Sequence, residues 1–224
     1  MKKLFILGGS GDIGKAIISN FSGHGYSVIS PSRGELDLED EVSIDNYFKN
    51  KVPGIDVLIH CAGWNEPKPF EGITTQDLEK SNSINIFSFL KIIQYLSPIF
   101  KKRKNGYILG ISSLYGSFAR NKRLGYVISK HALNGLIKTL AIELGQYNIK
   151  INTLSPGFVD TKMTRKNNNL QTIKRIEENI PLGRLAIPDD IAKAAYFLCS
   201  CDNNYISGQD IVMDGGYSVG GFQK

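Results

Sequence analysis

The sequence predicts an α/β protein built on a doubly wound parallel sheet, and three observations carry that expectation. Its short apolar runs are continuous rather than alternating, which suits strands covered on both faces. Segments with apolar residues at helical spacing separate them, and strand and helix in turn mean right-handed crossovers with helices on both sides of the sheet. A glycine-rich turn closes the first apolar run and opens the first helical segment.

Taken in order, the strand runs are LFIL (4–7), SVIS (27–30), DVLIH (56–60), YILGIS (107–112), IKINTLS (149–155) and DIVMD (210–214), which predicts a six-stranded sheet. Helical spacing marks IGKAIISNF, INIFSFLKIIQYL, YVISKHALNGLIKTLAIEL and DIAKAAYFLC. One connection breaks the rhythm. Only PSRG separates Ser30 from the extended fragment ELDL at 35–38, whereas a parallel crossover needs a dozen or more residues. The second crossover helix is therefore shortened or lost, and ELDL is a rudimentary strand or a loop.

With 224 residues and no linker-like run, the chain reads as one domain spanning 1–224. The opening MKKLFILGGSGDIG begins like a secretion signal, but its apolar run ends in glycines. No apolar stretch approaches the ~20 residues of a membrane helix, so the expectation is a soluble, cytoplasmic protein with no membrane partner. Cys61, Cys199 and Cys201 lack partners at metal-ligand spacing, so no metal is expected and they read as buried thiols in a reducing compartment. The net charge of +6 is spread among acidic residues, and the densest run, KKRKNG at 101–106, follows an apolar helix whose negative dipole end favours cations. Nucleic acid is not an expected partner.

GGSGDIG sets Gly8, Gly11 and Gly14 at three-residue spacing between strand and helix. Glycines let the backbone turn tightly and approach a pyrophosphate, while a helix N-terminus offers it unpaired N–H groups. Gly8, Ser10, Gly11, Asp12, Ile13 and Gly14 are thus candidate dinucleotide-binding residues, against the alternative of a plain structural turn. After the second strand, where a carboxylate would accept the ribose hydroxyls of NAD, the sequence reads SPSRG. Arg33 is placed there to meet a 2′-phosphate, or simply to pair with Glu35 or Asp37. The charge logic favours NADP(H) over NAD(H). In LGYVISKH, Tyr126 and Lys130 stand four apart and share a helix face, either as an ordinary surface pair or as a phenol whose proton a neighbouring ammonium makes available.

The glycine turn at 8–14, CAG at 61–63, Asn85, ISS at 111–113, Tyr126 with Lys130, and SPGFVDT at 155–161 fall in the order and spacing of the classical short-chain dehydrogenase/reductase family, which the chain resembles over nearly its whole length. PLGRLAIPDDIAKAAYFL followed by YISGQDIVMDGGYS looks like the 3-oxoacyl-(acyl-carrier-protein) reductase branch of that family. The resemblance implies a Rossmann-like fold and hydride transfer between a nicotinamide and a ketone or secondary alcohol. It implies that Tyr126 is the general acid and that Ser113 donates a hydrogen bond to the substrate oxygen. Lys130 would hold the nicotinamide ribose and, with the oxidised nicotinamide, favour the phenolate of a group whose free pKa is about 10. Asn85 would hold a water in the proton relay. Asp37 and Leu38 would line the adenine pocket, Cys61, Ala62 and Gly63 would complete the cofactor site, and Pro156, Gly157, Val159 and Thr161 would pack on the nicotinamide and its phosphates. Leu7, Asp12, His60 and Cys61 depart from the family pattern of threonine, glycine and two asparagines.

Residues 162–183 are polar and asparagine-rich, as a mobile substrate lid should be. In that lid Met163, Leu170 and Ile173 could cover an apolar chain, while Arg165, Lys166 and ARNKR at 119–123 could meet an acidic group; an ordinary solvated segment explains both features equally. The leading expectation is reduction of a 3-oxoacyl thioester, carrier-linked or free. Tyr147 stands in GQYNIK where carrier-protein reductases are often basic, which weakens the carrier-linked version. The alternatives are a sugar, polyol or nucleotide-sugar ketone reductase, and a non-catalytic cofactor-binding regulator on the same fold. INIFSFLKIIQYL and YVISKHALNGLIKTLAIEL are apolar on more than one face, and the family covers the second face with another subunit, so a homodimer or homotetramer is expected.

Overall fold

The computed structural model describes residues 1–49 and 54–220, and in it the continuous apolar runs become the middle layer of the molecule. Strands β1 (Lys3–Leu7), β2 (Ser27–Ile29), β3 (Val57–His60), β4 (Gly106–Ile111), β5 (Ile149–Pro156) and β6 (Asp210–Met213) form one parallel sheet in the order β2-β1-β3-β4-β5-β6. Every residue of β3, β4 and β5 is buried, which is why these runs lack polar alternation. The chain steps from β1 outward to β2 and then returns to the other side of β1 as β3, with Leu7 paired to His60. Crossovers leave in opposite directions there, and a crevice opens beyond the carboxyl ends of β1 and β3.

Side chains alternate between two cores because successive strand residues face opposite ways. Leu4 and Ile6 point to helices α1 (Asp12–Gly23) and α8 (Pro188–Leu198), meeting Ile17, Phe21, Ile191 and Leu198. Phe5 and Leu7 point the other way, into a core shared by α2 (Glu41–Lys49), α4 (Ser88–Arg103) and α5 (Leu124–Gly145) through Phe48, Phe89, Ile92, Leu133 and Ile137. Each such side chain, fully buried, contributes about 1.5–3 kcal/mol of transfer free energy. Helices therefore cover both faces, as the sequence pattern predicts.

Residues 35–38 form turns rather than a strand, with Leu36 tucked into the core. The helix expected to be missing before them is absent, and the nine-residue α2 carries the crossover to β3. α3 (Thr75–Asn82) starts with a capping box in which the Thr74 hydroxyl accepts the Asp77 amide and the Asp77 carboxylate accepts the Thr74 amide. It runs through a π-helical turn (Ser83–Phe87) into α4. The combined helix Thr75–Arg103 is 29 residues long with a mean hydropathy of 1.2 over its most apolar window, which corrects the expectation that no stretch approaches the length of a membrane span. Its apolar side chains are there to meet the sheet, with Phe89, Ile92, Ile93, Leu96 and Phe100 all buried.

The polar segment expected to form a lid contains α6 (Lys162–Asn167) and α7 (Leu170–Asn179). Its polar residues serve as caps: Thr161 Oγ1 accepts the Thr164 amide at 3.2 Å and Asn169 Oδ1 accepts the Thr172 amide at 2.8 Å. Ile173, Ile176, Ile180 and Leu185 form a small separate core beside Phe158 and Tyr217. Ile173 is thus used in packing, and Leu170 is exposed to solvent. The expectation of three buried thiols holds for Cys199 only, since Cys61 is half-buried and Cys201 is exposed just past the end of α8.

Candidate active site

The loops at the carboxyl ends of β1, β3, β4 and β5 enclose a cavity of about 440 Å³. Its floor at one end is the glycine turn. Gly8 has φ +80°, and a Cβ there would stand 2.4 Å from the Ala62 nitrogen. A Cβ on Gly14 would stand 2.3 Å from the Gly8 carbonyl oxygen, so the turn closes on itself only with glycines. Gly11 faces open space, with no atom nearer than 3.6 Å, and as the N-cap of α1 it supplies no side-chain partner to the first amides of the helix. Those unpaired N–H groups, with Ser10, Asp12 and Ile13 around them on the cavity wall, fit the pyrophosphate of a dinucleotide. Asp12 points sideways and accepts the Lys162 amide at 2.7 Å, joining the turn to the start of α6.

Tyr126 and Lys130 lie in the first turns of α5 and both line the cavity, as do Ser113, Cys61, Ala62, Gly63, Pro156, Gly157, Val159 and Thr161. Ser113 follows β4 in an extended conformation, and its hydroxyl accepts the Tyr115 amide at 3.2 Å. Lys130 is buried, and its ammonium donates to the Ile111 carbonyl at 2.7 Å and sits 5.4 Å from the centre of the Tyr126 ring. Burial pulls the Lys130 pKa down to about 8. Burial pushes the Tyr126 phenol up to about 12, outweighing the hydrogen bond from Ser113. Removal from water dominates because the Lys130 ammonium is tied to the strand carbonyl instead of the phenol oxygen. The phenol is held protonated near neutrality.

Asn85 lies behind the cavity wall, fully buried in the π-helical turn. Its Oδ1 accepts the Trp64 amide at 2.8 Å, and its Nδ2 donates to the Trp64 carbonyl at 3.1 Å and to Ser129 Oγ at 2.8 Å. Both amide hydrogens are used within the chain, so the side chain ties the loop after β3 to α5. Below it His60 stacks on Phe89 at 4.7 Å, fully buried, and neither ring nitrogen has a partner among the described residues.

Burial, helped by the Lys130 charge, holds the His60 pKa at about 3, well below the ordinary 6.5. The unfolded chain then takes up a proton that the folded chain refuses. The stability contributed by neutral His60 is complete above pH 6.5 and is lost as the pH falls toward 3. A fall in Tm of roughly 5 °C or more between pH 7 and pH 4 is expected from this group alone. Thermal melts of His60→Asn across that range should show a flatter acid limb; an unchanged limb would assign the acid sensitivity to other groups.

Arg33, Asp37 and Leu38 are not brought into this cavity. They follow β2, and the exposed Arg33 pairs with Asp37 at 3.1 Å and Glu39 at 3.2 Å. The Glu39 amide and the Arg33 guanidinium hold the Asp37 carboxyl below its usual range. The cavity also gathers Asn65, Tyr115, Arg123 and Phe158, which the motif reading did not single out individually. Their position just beyond the ends of β3, β4 and β5 is the signal that could have found them.

Residues 28–218 match the family model described as Enoyl-(Acyl carrier protein) reductase. The chain is 32% identical over 216 residues to the 3-oxoacyl-(acyl-carrier-protein) reductase FabG of Aquifex aeolicus (strain VF5), covering 95% of this chain and 86% of that protein. Among solved structures it is similar to 4-hydroxyisoleucine dehydrogenase complexed with NADH, with a TM-score of 0.93, 28% identity, and 98% and 100% of the two chains covered. It is also similar to ElxO with NADP bound, with a TM-score of 0.88, 29% identity, and 97% and 99% covered.

Proposed function

Because this chain belongs to the short-chain dehydrogenase/reductase family of nicotinamide-dependent oxidoreductases, we propose that it is an NADP(H)-dependent ketone reductase acting on 3-oxoacyl compounds, with residues 1–224 as its single domain. The observation that carries this reading is the placement of Ser113, Tyr126 and Lys130 on one wall of the cavity whose other end is the glycine turn. When bound, the cofactor supplies the hydride. Ser113 donates a hydrogen bond to the substrate oxygen, and Tyr126 gives that oxygen its proton as negative charge develops there. Lys130 stabilises the phenolate left behind, and at a pKa of about 8 it can also pass on a proton near neutrality. Asn85 acts by holding the loop of Cys61, Ala62 and Gly63 against α5. Pro156, Gly157, Val159 and Thr161 form the wall beside the nicotinamide, and α6 with α7 is the lid. Asp37 and Leu38 serve the adenine end.

Preference for NADP(H) is supported by the absence of a carboxylate at the end of β2 and by Arg33, whose exposed guanidinium can leave Asp37 and Glu39 for a 2′-phosphate. Exposed apolar side chains on the outer helices, Phe87, Leu124, Ile128 and Ile142, support a homo-oligomer. The test is cofactor oxidation with an acetoacetyl thioester. NADPH is expected to exceed NADH in kcat/KM by at least about tenfold, and Arg33→Ala to remove that margin. Turnover with NADH alone would overturn the cofactor preference, and NADPH binding without turnover of any ketone would overturn the reductase reading.

The same reading makes a sharp demand on the glycine turn. Gly14→Val puts a branched side chain against the backbone of Gly8 and Gly9. NADPH binding, followed by its fluorescence, should weaken by roughly 100-fold, equivalent to about 3 kcal/mol, while Gly23→Ala, in open space within α1, should bind as wild type.

A further inference from the structure

The rim of the cavity carries positive charge that proton transfer does not use. Arg33, Arg103, Arg165 and Arg184 each hold a carboxylate. Arg120 and Arg123 line the cavity and hold none among the described residues. Arg120 lies over the rings of Tyr115 and Phe158, 5.7 and 5.6 Å from their centres, and donates to the Tyr115 hydroxyl. Arg123 Nη1 donates to Asn65 Oδ1 at 2.9 Å. Each guanidinium is therefore positioned by neutral neighbours and keeps donors to spare.

The two are close enough to oppose each other. Burial and the Arg120 charge together pull the Arg123 pKa down, the sign of a cation lacking a counter-ion. The pair also sits at the reacting end of the cavity. Arg123 precedes Tyr126 by three residues at the start of α5, and the Tyr115 ring that Arg120 covers is 6.3 Å from the Tyr126 ring. Among the described residues the one carboxylate on the cavity wall is Asp12, which belongs to the glycine turn and is engaged by the Lys162 amide.

We infer that Arg120 and Arg123 form an oxyanion-binding subsite, and that the substrate whose carbonyl reaches Tyr126 carries a carboxylate or phosphate a few bonds from that carbonyl. The inference rests on the reading of Tyr126 as the proton donor to a bound ketone. An oxyanion there receives paired N–H donors from planar guanidinium groups and relieves their mutual repulsion. It places free oxo acids, or ketones bearing a phosphate, ahead of oxoacyl groups with a neutral end.

The experiment compares acetoacetate with methyl acetoacetate, the same ketone without the charge, under NADPH. Wild type should favour the acid at least tenfold in kcat/KM, and the Arg120→Gln/Arg123→Gln double variant should lose at least tenfold more on the acid than on the ester. Equal use of acid and ester by wild type, or equal losses on both in the variant, overturns the subsite. Dihydroxyacetone phosphate beside dihydroxyacetone forms the second arm, and a larger arginine-dependent preference there identifies phosphate as the group bound. If no ketone is reduced, calorimetric titration of acetoacetate into NADPH-saturated protein still decides: binding that weakens tenfold in the double variant supports the subsite although the reductase reading has failed, and binding that is absent or indifferent to the arginines overturns it. NADPH binding by the double variant reports that it has folded.

Discussion

Replacing Tyr126 by phenylalanine is expected to lower kcat for ketone reduction by roughly 10²–10⁴-fold, the usual worth of a positioned general acid. The change removes one oxygen and keeps the ring, so its edge-on contact with Tyr115 persists and the fold should not suffer. If, as proposed, the glycine turn and the wall after β5 hold most of the cofactor, NADPH affinity should stay within about threefold of wild type, a shift under 1 kcal/mol. Loss of kcat with KM nearly unchanged is the pattern of a group that acts only in the transition state. A matching loss of NADPH binding would instead make Tyr126 part of the binding surface.

Lys130→Met should separate activity from stability. Holding the ammonium in a buried site lowers its pKa from 10.5 to about 8. The unfolded chain binds the proton more strongly, so the folded state loses stability as the pH falls from 10.5 through 8, and below that it carries a penalty of about 3 kcal/mol. Methionine removes this penalty but leaves the Ile111 carbonyl without its donor, an opposing cost of about 1–3 kcal/mol. The Tm of the variant at pH 7 should therefore equal or exceed that of wild type, while kcat falls by roughly 10²-fold or more. Wild-type reduction should also slow as the pH rises through about 8 and the ammonium is lost, and this limb should vanish in the variant. A marked fall in Tm alongside the fall in kcat would make Lys130 a structural residue rather than one held at a cost for function.

The parts of this molecule that could be read from sequence are those in which local pattern and tertiary environment agree. β1, β3, β4 and β5 are legible because strands buried on both faces admit little but apolar residues. The nine-residue α2 is not, since Ile44, Tyr47 and Phe48 pack on its core at helical spacing but in a run so short and polar that the period spans only one turn. α7 carries a signal, Ile173, Ile176 and Ile180 at helical spacing, masked by the asparagines that cap and precede it. The π-helical turn around Asn85 depends on a single extra residue in the hydrogen-bond ladder, and no residue type marks that. In the site, four-residue spacing correctly puts Tyr126 and Lys130 on one helix face. Spacing cannot say which way a flexible lysine turns, and here it turns to the Ile111 carbonyl. For the same reason the direction of the phenol's pKa was beyond reach, because desolvation is a property of everything packed around the ring. Arg33 shows the opposite limit: the sequence allows both a phosphate and Asp37 as partners, and in the structure the exposed side chain pairs with the carboxylates of Asp37 and Glu39.

The central claim, that this chain moves hydride between a nicotinamide and a carbonyl carbon with Tyr126 supplying the proton, is tested most directly by isotope transfer. NADPH deuterated at the transferable position of its nicotinamide ring would be incubated with acetoacetate and its thioester, and the products read by mass spectrometry. The account predicts an alcohol carrying one deuterium on the former carbonyl carbon, formed by wild type and almost absent with Tyr126→Phe. Binding of the deuterated cofactor with no label in any alcohol, or equal labelling by wild type and Tyr126→Phe, would contradict it.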